Sequence, residues 1–278
     1  MKTSTGFAAS HYSGCGNDFL LLDNRQNELP ALTTGIIQKL CQSSGVDGLI
    51  LVCSSTKADL AMRFYNLDGS EAEMCGNGVR CLMQYVRQKL SYPRNRLLLE
   101  TQKRDIAIFS DGLDVIVNIG SVVELGFNIE LAHEDSTYKL HHFNSSVPHV
   151  VIFVEDIDAI DVQKLGSYFR NHPHFKPAGT NVNFVSLTTS GGHIRTFERG
   201  VEGETLACGT GVLASAYAMH KLFGYSTPIS LQVRSADWLS VLFDKTDSIS
   251  LKGPAIWIRD AIVEFDSDSS DCSIYFSN

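Results

Sequence analysis

The stretch "EMCGNGVRCLMQYV", residues 73–86, sets a cysteine before a Gly-Asn-Gly turn and an apolar stripe, and "LACGTGVLASAYAM", residues 206–219, does the same again. In the first, Val79, Leu82, Val86 and Leu90 recur at helical spacing before Pro93; in the second, Val212, Ala216, Met219 and Phe223 do so before Gly224. Proline or glycine just past the last apolar position is a helix stop. Each cysteine therefore stands at the mouth of a helix. Cys75 and Cys208 lie 133 residues apart (208 − 75), nearly half of the 278-residue chain, which is the period of a duplicated domain.

Outward from the two helices the chain reads as strands. "FLLLD" at 19–23, "LAMRFYN" at 60–66, "DVIVNIG" at 114–120, "HVVIFVE" at 149–155 and "NVNFVSL" at 181–187 are short and apolar, with further segments near 231–234, 238–243 and 256–265. In "LAMRFYN", Leu60, Met62 and Phe64 alternate with Ala61, Arg63 and Tyr65, the period of a half-buried strand. Segments near 32–43 and 161–171 add a peripheral helix to each half. The expected class is α/β (α+β), two strand-rich halves each holding one principal buried helix.

Composition narrows the function. The formal charge is −8 and no long basic run is present, which argues against nucleic-acid or anionic-membrane partners and for a small molecule. The N-terminal segment has no apolar core of a signal peptide, and no window approaches the roughly 18 apolar residues of a spanning helix. A cytoplasmic location is expected. Seven cysteines, an odd number without repeated short spacing, suggest neither a disulfide framework nor a four-thiolate zinc site. Cys41, Cys53, Cys81 and Cys272 read as small buried hydrophobes. Cys15, in "GCGNDF", leads into a strand and is not taken as a third base.

A helix start offers unpaired N–H groups and a positive dipole end, and glycines let an anion come close. A carboxylate fits there. The same field favours thiolate over thiol and is expected to lower each cysteine pKa from about 8.5 into the roughly 3.5–7.5 range. Two such mouths facing one another would set two sulfurs on opposite sides of one carbon, the geometry of two-base stereoinversion. That chemistry needs no metal and no pyridoxal cofactor.

With these residues assembled, the chain resembles the diaminopimelate epimerase family. "GCGNDFLLLD", "FYNLDGSEAEMCGNGVRC", "NVNFVSL" and "ERGVEGETLACGTG" match the family's blocks in order and across essentially the whole chain. The resemblance implies a pyridoxal-independent isomerase interconverting the LL and meso forms of diaminopimelate in lysine and cell-wall precursor synthesis. It also implies two pseudo-symmetric domains, about 1–127 and 128–263, each a curved sheet or barrel around a central helix. The site would lie in the interdomain cleft, and a C-terminal strand near 264–278 would return to the first domain.

By the same resemblance Cys75 and Cys208 are the acid/base pair, while Gly76, Asn77, Gly209 and Thr210 hold the reacting carboxylate. His149 and Glu198 match positions at the reacting end and the amino group. Asn17, Asn66, Asn181 and Arg199 match the cradle of the distal amino-acid group. Two departures stand out: Val147 replaces an asparagine in "SVPH", and "ERGVEGET" carries one extra residue, at Val201 or Glu202. Both bear on distal recognition, so slow racemisation of glutamate or a similar acidic amino acid is admitted. The alternatives are another two-cysteine racemase of the superfamily, such as a proline racemase or hydroxyproline epimerase, and a non-catalytic amino-acid-binding protein. Pairing into a homodimer is left open.

Overall fold

The computed structural model describes residues 5–72, 75–245, 248–266 and 271–277, so Glu73 and Met74 of the first quoted stretch lie outside the described residues. The chain divides into two compact units, Met1–Val117 with Pro254–Asn278, and Asn118–Gly253.

In the first unit β1 (Thr5–Ser13) pairs antiparallel with β2 (Asp18–Asp23). The corner between them runs through left-handed backbone at Cys15 (φ 61°) and Gly16 (φ 77°). A parallel neighbour cannot be reached by a tight turn, so α1 (Thr34–Ser44) crosses over to β3 (Gly48–Cys53), parallel to β2. The Thr33 hydroxyl caps α1 by accepting from Ile36 N–H, and Gly45 ends it at φ 67°. β4 (Leu60–Asn66) and the short β5 (Glu71–Ala72) return antiparallel. A second crossover, α2 (Gly76–Lys89), leads to β6 (Arg96–Glu100), parallel to β4, and β7 (Asp105–Asp111) and β8 (Asp114–Gly120) complete the meander.

The sheet wraps α2, which packs on β1, β2, β3 and β7. Val79, Leu82 and Val86 are fully buried, each contributing about 1.5–3 kcal/mol on leaving water. Burial extends all round the helix from Asn77 to Val86 and takes in Arg80 and Gln84, so the apolar stripe understates it. Gln84 is satisfied by donating to Leu113 O at 2.8 Å. Leu90, the last member of the stripe, is half-buried and closes the helix through its N–H on Val86 O.

The second unit repeats the plan. β9 (Val123–His133) and β10 (Ser136–Asn144) pair antiparallel, β10 pairs with β11 (Pro148–Phe153), and α3 (Val162–Arg170) crosses to β12 (Asn181–Thr188), parallel to β11. β13 (Gly191–Glu198) and β14 (Gly203–Thr205) form a hairpin. α4 (Gly209–Phe223) then crosses to β15 (Ile229–Gln232), parallel to β13, followed by β16 (Trp238–Phe243) and β17 (Ile249–Pro254). α4 packs on β10, β11, β12, β15 and β16. Val212, Ala216 and Met219 are fully buried, and Gly224 ends the helix at φ 71°. Phe223 departs from the expected buried stripe, being 50% exposed. It sits on the last turn, where its ring meets Phe153 edge-on at 4.8 Å.

The chain's end completes the first unit. β18 (Ile256–Phe265) pairs antiparallel with β1, and β19 (Cys272–Phe276) pairs with β18. In the second unit β9 occupies the corresponding place beside β10.

Candidate active site

Cys75 is the N-cap of α2, with extended backbone (φ −131°, ψ 118°), and Cys208 is the N-cap of α4 (φ −123°, ψ 103°). Neither carries the side-chain oxygen that ordinarily fills a helix start. Each half of the chain thus presents a thiol beside first-turn N–H groups, those of Gly76 and Asn77 in the first unit and of Gly209 and Thr210 in the second.

In the first unit the 14–17 corner packs onto the mouth of α2. Asn17 Nδ2 donates to Asp47 Oδ2 at 2.8 Å, which fixes the amide orientation. Its Oδ1 then faces the helix and accepts from Asn77 Nδ2 at 3.4 Å and from the Cys75 thiol at 3.8 Å. Asn17, assigned by resemblance to the distal cradle, therefore stands beside the Cys75 sulfur. Asn66 lies in the β4–β5 turn, donating through Nδ2 to Ser70 Oγ at 3.1 Å.

In the second unit β11 and β12 set His149 opposite Asn181. The His149 ring is fully buried, its Nε2 2.9 Å from Thr210 Oγ1 and its Nδ1 3.1 Å from Asn183 Nδ2. Burial holds the imidazole neutral, with its pKa down at about 3. Thr210 Oγ1 lies 3.5 Å from Cys208 Sγ, and Ser145 Oγ donates to Thr210 O at 2.8 Å. Glu198, at the end of β13, accepts from Thr205 Oγ1 at 2.9 Å. Next to it, Arg199 N–H donates to Asn181 Oδ1 at 2.9 Å and Arg199 Nη1 to Ala178 O at 2.9 Å. Asn181 Nδ2 is held by Pro148 O at 2.8 Å.

The extra residue is absorbed beyond Arg199. The hairpin tip turns through Gly200 (φ 97°) and Glu202 (φ 57°), with Glu202 Oε1 accepting from Gly200 N at 3.0 Å and Arg170 Nε at 3.1 Å. Val201 points outward, 62% exposed. The backbone of Arg199 stays pinned to Asn181.

One electrostatic expectation is corrected at Cys208. Burial pushes its thiol up to about 12 and the Glu198 carboxylate adds to the rise, outweighing the hydrogen bonds from Thr210 and the Gly211 N–H. Desolvation of a charge exceeds the attraction of a helix end. Burial likewise raises the Glu198 carboxyl above its ordinary value. Cys208 therefore rests as a protonated thiol. Burial also raises the Cys41 thiol to about 11 and the Cys53, Cys81 and Cys272 thiols above the ordinary value.

Asn183, Thr196 and Ser145 were not singled out in the sequence. The alternation in "NVNF" is the signal for Asn183: it shares a strand face with Asn181, inside a strand otherwise built of apolar residues. Among the described residues no group of three His, Cys, Asp or Glu side chains is arranged to hold a metal ion, and no helix is long and apolar enough to cross a membrane.

The diaminopimelate epimerase family model matches the chain twice, over residues 9–125 and 142–258. The two matches are offset by 133 residues (142 − 9), the spacing of the two cysteines. The chain is 39% identical over 272 residues to a diaminopimelate epimerase of Hydrogenobaculum sp. (strain Y04AAS1), covering 92% of this chain and 98% of the relative. To that of Flavobacterium psychrophilum it is 38% identical over 264 residues, covering 91% and 98%. Among solved structures, a PhzF-family phenazine biosynthesis protein of Bacillus anthracis superposes with a TM-score of 0.71 at 16% identity, over 93% of this chain and 99% of that one. A hydroxyproline epimerase of Agrobacterium vitis does so with a TM-score of 0.67 at 13% identity, over 96% and 95%. These two show the fold, a mixed α/β architecture of two repeated domains. On the family match and the relatives, the chain belongs to the diaminopimelate epimerase family of isomerases.

Proposed function

We propose that the chain interconverts LL- and meso-2,6-diaminopimelate, with Cys75 and Cys208 as the two bases. The observation that carries this reading is the placement of one cysteine at the N-cap of each central helix, on the same element of a repeated fold. In one direction the Cys75 thiolate takes the α-hydrogen as a proton. The Cα–H electron pair passes into the carboxylate, whose added charge the N–H groups of Gly76, Asn77, Gly209 and Thr210 stabilise. Cys208, resting as a thiol, delivers its proton to the opposite face. The step ends with Cys75 protonated and Cys208 as thiolate, and the reverse direction exchanges the roles. His149 and Glu198 assist at the reacting end, and Asn66, Asn181 and Arg199 hold the distal amino-acid group.

The small-molecule substrate needs no cofactor in this scheme, and the cytoplasm is the proposed compartment. Pairing with a second copy is supported by outward-facing Trp257, Ile258 and Ile262 on β18 and Tyr275 on β19, all 41–56% exposed.

The test is proton NMR of LL-diaminopimelate in deuterium oxide, where loss of the α-proton signal reports turnover. Cys75→Ala and Cys208→Ala should each abolish epimerisation, since a positioned acid or base contributes about 10²–10⁴ in rate and the pair acts as a unit. Near-normal turnover in either folded variant ends the two-thiol reading.

A further inference from the structure

A directed chain of hydrogen bonds runs beneath Cys208, and its direction is set by a residue outside the assigned site. Asn183 is fully buried on β12. Its Nδ2 lies 2.8 Å from Val150 O, which can only accept, so the nitrogen end of the amide is fixed there. Its Oδ1 correspondingly accepts from Thr196 Oγ1 at 3.0 Å. The second Nδ2 hydrogen is left for His149 Nδ1 at 3.1 Å. A ring nitrogen that accepts carries no proton, so neutral His149 keeps its proton on Nε2 and donates it to Thr210 Oγ1, 2.9 Å away. With one lone pair used, the Thr210 hydroxyl keeps its own hydrogen for Cys208 Sγ at 3.5 Å.

We propose that Asn183 is a positioning residue that, through His149, turns the Thr210 hydroxyl toward Cys208 so that the thiolate left after Cys208 gives up its proton is stabilised. Close packing supports the arrangement. Gly211, on the first turn of α4, sits so near that a Cβ there would lie 2.3 Å from Asn183 Oδ1 and 3.3 Å from Thr196 Oγ1. Only glycine lets the helix start come down onto the amide. The chain is buried where its direction is set, at Asn183, Thr196 and His149, so water does not compete there. The chemistry it serves is specific: a sulfur that alternates between thiol and thiolate needs a donor only in the second state, and a hydroxyl whose lone pair is already engaged supplies it.

This inference rests on the reading of Cys208 as a base, but the direction of the chain is measurable without turnover. In protein carrying ¹⁵N-histidine, two-bond ¹H–¹⁵N correlation spectra report which ring nitrogen bears the proton, with His149 assigned by the signals lost in His149→Gln. The expected wild-type result at pH 8 is a protonated Nε2 and a bare Nδ1. In Asn183→Asp, a carboxylate that can only accept should reverse the tautomer, leave Nε2 to accept from Thr210 and take the hydroxyl away from Cys208. Turnover should then fall about ten- to hundredfold, the worth of a hydrogen bond to a charged group. Thr210→Val should lose a similar factor, and the double variant should be no slower than Thr210→Val alone, because both changes remove one O–H donor. A wild-type His149 protonated on Nδ1 overturns the proposal, and that spectrum decides even if Asn183→Asp does not fold. Multiplicative losses in the double variant overturn it too, since they assign Asn183 a structural role separate from Thr210. Retained turnover in Cys208→Ala, with the tautomer as expected, would instead sink the two-thiol reading and leave the direction of the chain standing.

Discussion

Arg80 Nη2 donates to Cys15 Sγ across 3.3 Å inside the first unit, where the guanidinium is fully buried and the thiol nearly so. Its Nε donates to Pro254 O at 3.2 Å, and its Nη1 has no hydrogen-bond partner among the described residues. The contact spans from α2 to the left-handed corner that carries Asn17 to Cys75. A buried cation with incomplete hydrogen bonding is costly, and removing one partner is worse than removing the charge itself. Cys15→Ala should therefore destabilise more than Arg80→Met, by about 1–3 kcal/mol. Urea unfolding of the two variants checks the order; a reversed order would show that the sulfur does not hold the guanidinium.

The Glu198 carboxylate opposes ionisation of Cys208, its charge being the second cause, after burial, of the raised thiol, whereas the hydrogen bond from Cys208 favours the ionised carboxylate. Glu198→Gln keeps the shape and removes the charge. The proton affinity of Cys208 should fall, so the alkaline limb for the direction in which Cys208 donates should move to lower pH. Initial-rate pH profiles from both epimers measure it. An unmoved limb in a folded variant would mean that the carboxylate is already neutral in the working enzyme.

Buried His149 makes stability depend on pH in a definite sense. Its folded pKa is depressed to about 3 against an ordinary 6.5, so between these values the unfolded chain binds a proton that the folded chain does not. Its contribution is fully present above pH 6.5 and is lost as pH falls toward 3, at up to about 1.4 kcal/mol per pH unit. His142, lowered by burial to about 4, acts in the same direction. Unfolding free energies measured from pH 7 to 4 should decline with this slope, and a flat profile would contradict the buried neutral ring.

Much of this was legible in the residues. A cysteine, two glycines, an apolar stripe and a terminal proline or glycine declare a helix and its mouth locally, and the recurrence after 133 residues declares the duplicated unit. The ionisation of Cys208 was not legible: the helix end is a local feature, whereas burial depends on strands far away in sequence. The full burial of Arg80 was not legible either, because a periodic pattern cannot show that a sheet wraps the whole helix. The role of Asn183 depends on the single acceptor it meets, Val150 O, a fact of register that composition does not contain.

The two departures read from the sequence, Val147 and the extra residue at Val201 or Glu202, both bear on the residues proposed to hold the distal end of the substrate. The added residue lies at the exposed hairpin tip, and Arg199 keeps its backbone bond to Asn181 and its guanidinium bond to Ala178 O, so the insertion leaves in place the residue proposed to hold the distal carboxylate. The substitution at Val147 is different. An isopropyl group in place of an amide removes a donor and an acceptor, and a hydrogen bond to a charged group is worth about 1.5–3 kcal/mol. Selectivity built on such bonds should weaken by a corresponding factor, while the reacting end, which does not read chain length, is unchanged. L-Glutamate, whose side-chain carboxylate can seek Arg199, should therefore show slow α-proton exchange in deuterium oxide, and Val147→Asn should suppress that exchange while preserving diaminopimelate turnover. Cys75→Ala is the control. Exchange no faster than in that variant would show that Val147 leaves specificity intact and that the Asn181–Arg199 pair suffices to read the distal group.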